Sequence, residues 1–183
     1  MTVRTDHPYP EVLDPTGRAD TNQDTSLAPR GTAIRGATLG LLDNGKVNGG
    51  VLLEELGRQL EVSAAVGSVR LFTKPYAGQP LEPSQLEEIS KECDFVVTAI
   101  GDCGSCSAAT LADGILLERS GVPAVSICTE PFGVSAAAMA QTYGFPGYQF
   151  ALTPHPVASL SREEIRARVA DLVPRVLSIL GAA

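Results

Sequence analysis

Tryptophan is absent from this chain, and aromatic residues make up only 5% of its 183 positions. A hydrophobic core must therefore be built mainly from Val, Leu, Ile and Ala, and the hydrophobic fraction of 44% is sufficient for one domain of this length. Apolar runs of about 18 residues, which a membrane-spanning helix needs, are also missing. Because no basic stretch precedes an apolar one near Met1, we expect no signal peptide and a cytoplasmic location.

Positive charge is scarce as well. The chain has 14 Lys and Arg residues and 21 Asp and Glu residues, which gives a formal net charge of -7. Nucleic-acid binding requires a basic surface, so we predict no nucleic-acid partner, and the lack of a spanning segment predicts no membrane partner. Residues 1–32 are polar, contain four prolines and show no periodicity. We interpret them as a polar N-terminal tail and residues 33–183 as a single α/β domain, an arrangement that is compatible with a homo-oligomer.

Short apolar runs alternate with helical patterns five times after Ala33. The runs predict strands over residues 37–42, 68–73, 95–100, 124–128 and 149–152. Helical patterns follow each of them, and Ser84 with Glu87 and Ser161 with Glu164 have the spacing of capping boxes. This alternation is typical of a parallel sheet with helices on both faces. We predict a three-layer, doubly wound, flavodoxin/Rossmann-like fold with the strand order 2-1-3-4-5.

The residues with the most chemistry follow the predicted strand ends, where ligands bind in such sheets. They are Asp43, Asn44, Lys46 and Asn48 after the first strand, Lys74 after the second, Asp102, Cys103 and Cys106 after the third, Cys128, Thr129 and Glu130 after the fourth, and His155 after the fifth. Because strands one and three are neighbours in the predicted order, we expect the first group to lie beside Cys103.

A Cys-x-x-Cys motif, Cys103 to Cys106, joins the third strand to a helical pattern over residues 108–119. A helix N-terminus carries partial positive charge and free N–H groups, which stabilise a thiolate. Gly101 and Gly104 let the backbone bend and approach a ligand. In a reducing compartment such a pair indicates redox, catalytic or metal chemistry more than a structural disulfide. Cys93 falls at the opposite edge of the sheet, where we expect a structural role.

Three segments together resemble the UGSC-motif (seleno)proteins: residues 41–48, residues 101–106 and residues 154–156. The resemblance extends over about residues 36–180. In some relatives the position of Cys103 is selenocysteine, which implies that Cys103 is the nucleophile or redox centre and that Cys106 is the second thiol. The chain is also similar, more loosely, to the selenocysteine-bearing component of glycine reductase-type systems.

The residues and the resemblance together predict a cysteine-dependent oxidoreductase or lyase-type enzyme that acts on a small, anionic electrophile. Catalytic roles are predicted for Cys103, Cys106 and His155. Substrate binding is predicted for Asp43, Asn44, Lys46, Asn48, Asp102, Gly104, Ser105 and Glu130. No cofactor or metal is predicted, although an external thiol, from a small molecule or a reductant protein, would reopen a Cys103–Cys106 disulfide.

Several alternatives fit the same residues. The Cys-x-x-Cys motif permits a protein disulfide oxidoreductase, and Cys103, Cys106, Cys128 and His155 have the donor set of a zinc site. A non-catalytic interaction role is also open. Individual residues have structural alternatives too, since Asp43 and Asn44 are common turn formers and His155 stands between two prolines.

Overall fold

The computed structural model of the chain describes residues 25–30 and 33–181. Its strands are β1 (Thr38–Asp43), β2 (Ser68–Thr73), β3 (Phe95–Gly101), β4 (Ala124–Thr129) and β5 (Ala151–Thr153). Its α-helices are α1 (Gly49–Ser63), α2 (Pro83–Glu92), α3 (Gly104–Arg119), α4 (Gly133–Thr142) and α5 (Arg162–Leu180), and a single 3-10 turn (Glu130–Phe132) joins β4 to α4.

All neighbouring strands pair in parallel, in the order β2-β1-β3-β4-β5, so the predicted topology is confirmed. The central strand, β3, is buried at all seven of its positions, because β1 and β4 pair with its edges and helices cover its faces. One core cluster joins α1 and α5 to the sheet, and two further clusters lie under α2, α3 and α4. The fold is therefore a three-layer, Rossmann-like α/β domain.

Element boundaries differ from the predicted ones mainly at helix starts. Helix α3 begins at Gly104, four residues before the predicted start, so the whole Cys-x-x-Cys motif lies at its N-terminus. The capping box predicted at Ser84 is wrong, since Glu82 precedes the helix, no side chain caps it, and Pro83 occupies the first turn. Proline supplies the helical φ at that position without needing a donor. The capping box between Ser161 and Glu164 is formed.

A short N-terminal segment, residues 25–30, packs against the end of α3, although the sequence placed it in the polar tail. The backbone N–H of Ala28 donates to the Glu118 carboxylate at 2.7 Å, and both terminal nitrogens of Arg30 donate to the same group. Glu118 also accepts from the N–H of Ala124 at the start of β4. Residues 1–24 and 31–32 of the predicted tail lie outside the described part of the chain.

Membrane insertion has no candidate segment in the described part of the chain, where no helix combines the necessary length with sufficient hydropathy.

Glu118 offers a test of how strongly this N-terminal segment is held. Replacing Glu118 with Ala leaves two buried N–H groups without an acceptor and leaves Arg30, whose side chain is only 18% exposed, without its carboxylate. We expect a loss of about 3 kcal/mol in the free energy of unfolding, measured by urea denaturation. The matched control is Glu61→Ala on the exposed side of α1, which we expect to change stability by less than about 0.5 kcal/mol. Equal effects of the two substitutions would contradict this account.

Candidate functional site

The two sulfurs of the Cys-x-x-Cys motif occupy unequal positions at the N-terminus of α3. Cys103 is the N-cap residue and is half-buried, whereas Cys106, within the first turn, is fully buried. The backbone N–H of Cys106 donates to Cys103 Sγ at 3.3 Å, and the N–H of Ser107 donates to the Cys103 carbonyl at 3.0 Å. The two cysteines form a disulfide, with their Cα atoms 5.4 Å apart. Only Cys103 is therefore placed where a ligand can reach its sulfur.

Gly101 allows β3 to pass directly into this helix. A Cβ atom at residue 101 would lie 2.6 Å from Cys128 Sγ and 2.6 Å from Ser107 Oγ, so no larger residue fits. Gly104 is different, since a Cβ atom there would meet only Ser135 Oγ at 3.8 Å. Packing within the protein therefore requires a glycine at position 101. At position 104 it does not, and the approach of the backbone to a ligand there stays a prediction.

A carboxylate immediately before the motif binds the loop that follows β5. Asp102 Oδ1 lies 2.8 Å from His155 Nδ1, and Asp102 Oδ2 accepts from the backbone N–H groups of Val157 and Ala158, each at 3.2 Å. Its side chain is 8% exposed. The predicted convergence of the ends of β3 and β5 is thus realised as direct contact between Asp102 and His155.

The partners of His155 define which ring nitrogen is available for chemistry. Thr129 Oγ1 donates to the Gly101 carbonyl at 3.1 Å and lies 3.2 Å from His155 Nδ1. The Thr129 hydroxyl proton is already used in the hydrogen bond to Gly101, and the Asp102 carboxylate can only accept a hydrogen bond. A proton on His155 Nδ1 therefore gives both neighbours a donor. Nε2 then carries the free lone pair of the neutral ring. Phe132 packs edge-on against the ring, with centroids 5.5 Å apart, and restricts its rotation.

Asn48 binds the same loop from the other side. Its side-chain amide lies within 3.2 Å of the carbonyl oxygens of Val157, Ala158 and Leu160 and donates to them. Asn48 itself has a left-handed backbone, with φ of 63°, just before α1. The loops after β1, β3 and β5 are therefore joined by the side chains of Asn48 and Asp102.

Asn44 and Asp43 form the turn after β1. Asn44 is 1% exposed, and its amide donates to the Ile100 carbonyl and to Thr110 Oγ1 while its oxygen accepts from the N–H of Lys46. Asp43 accepts from the N–H of Gly45, and burial raises its pKa, an effect that the Gly45 N–H opposes. The hydrogen-bonding groups of Asn44 are thus engaged by the protein, and substrate binding by Asn44 stays a prediction.

Three predicted substrate-binding residues remain open to solvent. Lys46 is half-buried, and its ammonium group has no partner among the residues that the structure describes. Ser105 is exposed, with its hydroxyl 3.8 Å from Cys103 Sγ. Glu130 is exposed too, but it lines a cleft beside β5 and α5. The structure therefore gathers Asp102, Cys103, Ser105 and His155 around the start of α3.

Lys74 does not face the site, although it follows β2 as predicted. Its ammonium lies 2.5 Å from Asp113 Oδ2 inside the protein, and the N–H of Leu81 donates to Asp113 Oδ1 at 2.7 Å. Burial raises the pKa of the Asp113 carboxyl, and the charge of Lys74 opposes that shift. This ion pair fixes the loop after β2 against α3, where a Cβ atom on Gly78 would lie 3.6 Å from Ser105 Oγ.

Two features were missed by reasoning from the sequence. Thr129 stands at a predicted strand end without a predicted role, and no motif or spacing marks Asp113. The only signal for Asp113 was an acidic residue within an apolar helix, between Ala112 and Gly114.

The remaining cysteines are buried and free of disulfides. Burial raises the pKa of the Cys128 thiol to about 12 and that of the Cys93 thiol to about 11. Across residues 25–30 and 33–181, no three His, Cys, Asp or Glu side chains converge as they would around a metal ion. The arrangement therefore gives no support to the zinc alternative.

Comparison with models of known protein families identifies a relationship for this chain. The model described as the UGSC family matches residues 11–182, which include every site residue named above. No curated protein matches the chain.

Thiol labelling tests the unequal environments of the four cysteines. After reduction, we expect a neutral alkylating reagent at pH 8 to modify Cys103 first and to leave Cys93 and Cys128 unmodified in the folded protein. Both buried thiols stay protonated at that pH, because their pKa values of about 11 and about 12 are well above it, and both are shielded from the reagent. Peptide mass spectrometry at short reaction times identifies the modified residue.

The control for this experiment is the same reaction in urea, where all four thiols should react. Labelling of Cys128 as fast as Cys103 in the folded protein would contradict the described burial.

Proposed function

The chain belongs to the UGSC family, and we propose that it is a thiol-dependent enzyme in which Cys103 attacks a small, anionic electrophile. Cys106 then resolves the covalent adduct. The observation that carries this proposal is the asymmetry of the cysteine pair: a half-buried N-cap sulfur that accepts an N–H, next to a fully buried sulfur within disulfide distance.

The position of Cys103 suits a nucleophile. The first turn of α3 directs the backbone N–H of Cys106 towards its sulfur, and the partial positive charge of a helix N-terminus stabilises a thiolate there. The same first turn, at Gly104 and Ser105, offers N–H groups to an anionic substrate. Lys46, whose ammonium group is unpartnered among the described residues, would add positive charge.

The proposed reaction balances as a two-electron reduction. The Cys103 thiolate attacks a substrate R–L, forms a Cys103–R bond and expels L as an anion. The Cys106 thiolate then attacks Cys103 Sγ, forms the disulfide and releases R as a carbanion, which takes up a proton to give R–H. Two thiols and R–L thus become a disulfide, R–H, the anion of L and one proton. An external thiol reduces the disulfide afterwards.

His155 is the proposed proton carrier. With Nδ1–H directed to Asp102, its Nε2 can accept the proton of the Cys103 thiol and return it to the released carbanion. Asp102 and Thr129 act as positioning residues, since both lie within hydrogen-bond distance of His155 Nδ1 and fix the ring. If elimination instead regenerates Cys103 from the adduct, the same residues support a redox-neutral lyase reaction without a disulfide.

Glutathione disulfide is a probe of these unequal roles. We expect the reduced wild type to become oxidised to the Cys103–Cys106 disulfide, because Cys106 displaces glutathione from Cys103. In Cys106→Ser the mixed disulfide at Cys103 should persist, whereas Cys103→Ser should acquire at least about tenfold less glutathione in the same time. Intact-mass spectrometry distinguishes the three products.

The reverse pattern, a persistent adduct on Cys103→Ser and little on Cys106→Ser, would overturn the assignment. Urea unfolding of both variants serves as the control for folding.

A second function is favoured by a specific surface feature. Three apolar side chains near the carboxyl end of the sheet are strongly exposed: Val47 and Tyr76 on loops, at 66% each, and Val134 in the first turn of α4, at 80%. Apolar residues around a reactive disulfide suit the docking of another protein, so they favour a protein disulfide oxidoreductase.

Insulin reduction separates this alternative from the small-molecule enzyme. As an oxidoreductase, the protein would catalyse insulin reduction by dithiothreitol, and Val134→Ser would slow that catalysis by at least about threefold, since the docking surface is smaller. Val62→Ser, at an equally exposed position at the end of α1, is the matched control. A rate equal to that of dithiothreitol alone would exclude the alternative.

A further inference from the structure

A cleft of about 210 Å3 lies between β5 and α5 and has no part in the proposed thiol chemistry. Its apolar walls come from Leu152 and Leu172, and its charged lining consists of Arg168, Arg175, Asp171 and Glu130. Two cations and two anions thus surround one small apolar-walled space.

The two arginines are held in place by the free edge of β5. Arg175 Nη1 donates to the Leu152 carbonyl at 3.1 Å, and Arg168 Nη1 donates to the Pro154 carbonyl and to Thr153 Oγ1. Each guanidinium has five N–H donors in a fixed plane, so donors remain for a ligand after these contacts. A ligand therefore finds the cationic groups already positioned, with less rotamer entropy to lose.

The two carboxylates have no such partners. Neither the Asp171 nor the Glu130 carboxylate forms a hydrogen bond or an ion pair within residues 25–30 and 33–181. A second cleft of about 240 Å3, between α1 and α5, provides the contrast. There the Glu55 carboxylate pairs with Arg58 at 2.5 Å and with Arg166 at 3.7 Å. In the cleft beside β5, neither carboxylate pairs with a cation of the lining.

We propose that the cleft between β5 and α5 binds a small zwitterion, a molecule that carries both a carboxylate and an ammonium group. A simple anion would meet Asp171 and Glu130, and a simple cation would meet the two guanidinium groups, so only a ligand with both charges complements the whole lining. The volume corresponds to about seven water molecules at about 30 Å3 each, which suits a ligand of about six to eight non-hydrogen atoms. A free amino acid with a short side chain has this size and these charges.

Three matched probes separate the charges of the ligand. L-alanine carries both groups, propionate lacks the ammonium, and ethylammonium lacks the carboxylate. We expect saturable chemical-shift changes with L-alanine in two-dimensional NMR spectra of the isotope-labelled full chain, centred on residues 152–154 and 168–175. Propionate and ethylammonium should each bind at least about tenfold more weakly, a difference of about 1.4 kcal/mol.

Two substitutions assign the charges to their residues. Arg175→Gln should weaken binding of L-alanine and of propionate, whereas Asp171→Asn should weaken binding of L-alanine at least about fivefold without weakening propionate. Both positions are exposed, so folding is not at risk. Arg166→Gln, on the same helix but lining the other cleft, is the matched control and should leave both affinities unchanged.

Equal affinity for propionate and L-alanine would overturn the proposal, because it would show an anion site. Absence of saturation by L-alanine, or wild-type affinity in both Asp171→Asn and Arg175→Gln, would overturn it as well. The measurement detects binding alone, so neither result bears on the role of Cys103.

Discussion

The carboxylate of Asp102 connects the two parts of the chain on which the candidate site depends. It follows β3 directly, precedes the N-cap sulfur, and holds the loop after β5 through His155 and two backbone N–H groups. Because Asp102 and Cys103 are neighbours in the chain, the loop after β5 and the N-terminus of α3 cannot shift independently. Asn48 adds the loop before α1 to the same unit. A histidine on an exposed loop is thereby given a defined position relative to a sulfur about fifty residues earlier in the sequence.

Helix α3 provides the second constraint, because its buried polar side chains each bind a different segment. Thr110 accepts from Asn44, Asp113 binds Lys74, and Glu118 holds the start of β4 and the N-terminal segment. Buried polar groups of this kind are costly unless they are fully paired, so each contact favours one arrangement of the loops over others. These contacts consequently hold α3 along its length, and with it the first turn, which carries the two cysteines.

Much of this architecture follows from the sequence, because local periodicity and the rule for parallel sheets are sufficient for the strand order and for the edge at which polar residues collect. The contacts of Asn48 and Lys74 do not follow from either. Whether a side chain after a strand faces a ligand or the protein is decided by residues far away in the chain, Val157 for Asn48 and Asp113 for Lys74. The early start of α3 does not follow from local preferences either. Gly104 and Ser105 are weak helix formers, and Cys103, whose sulfur caps the first turn, is not among the residues that usually cap a helix.

The packing of Arg30 has a practical consequence for handling the protein. A Cβ atom on Gly181 would lie 2.9 Å from Arg30 Cγ, so the N-terminal segment and the end of α5 meet. Glu118, which binds Arg30, also binds the first residue of β4, so this meeting point lies at the amino end of the sheet. Cys103 and His155 follow strands at the carboxyl end. A surface linker attached after Gly181 would therefore leave Cys103 and His155 at the opposite end of the sheet from the point of attachment.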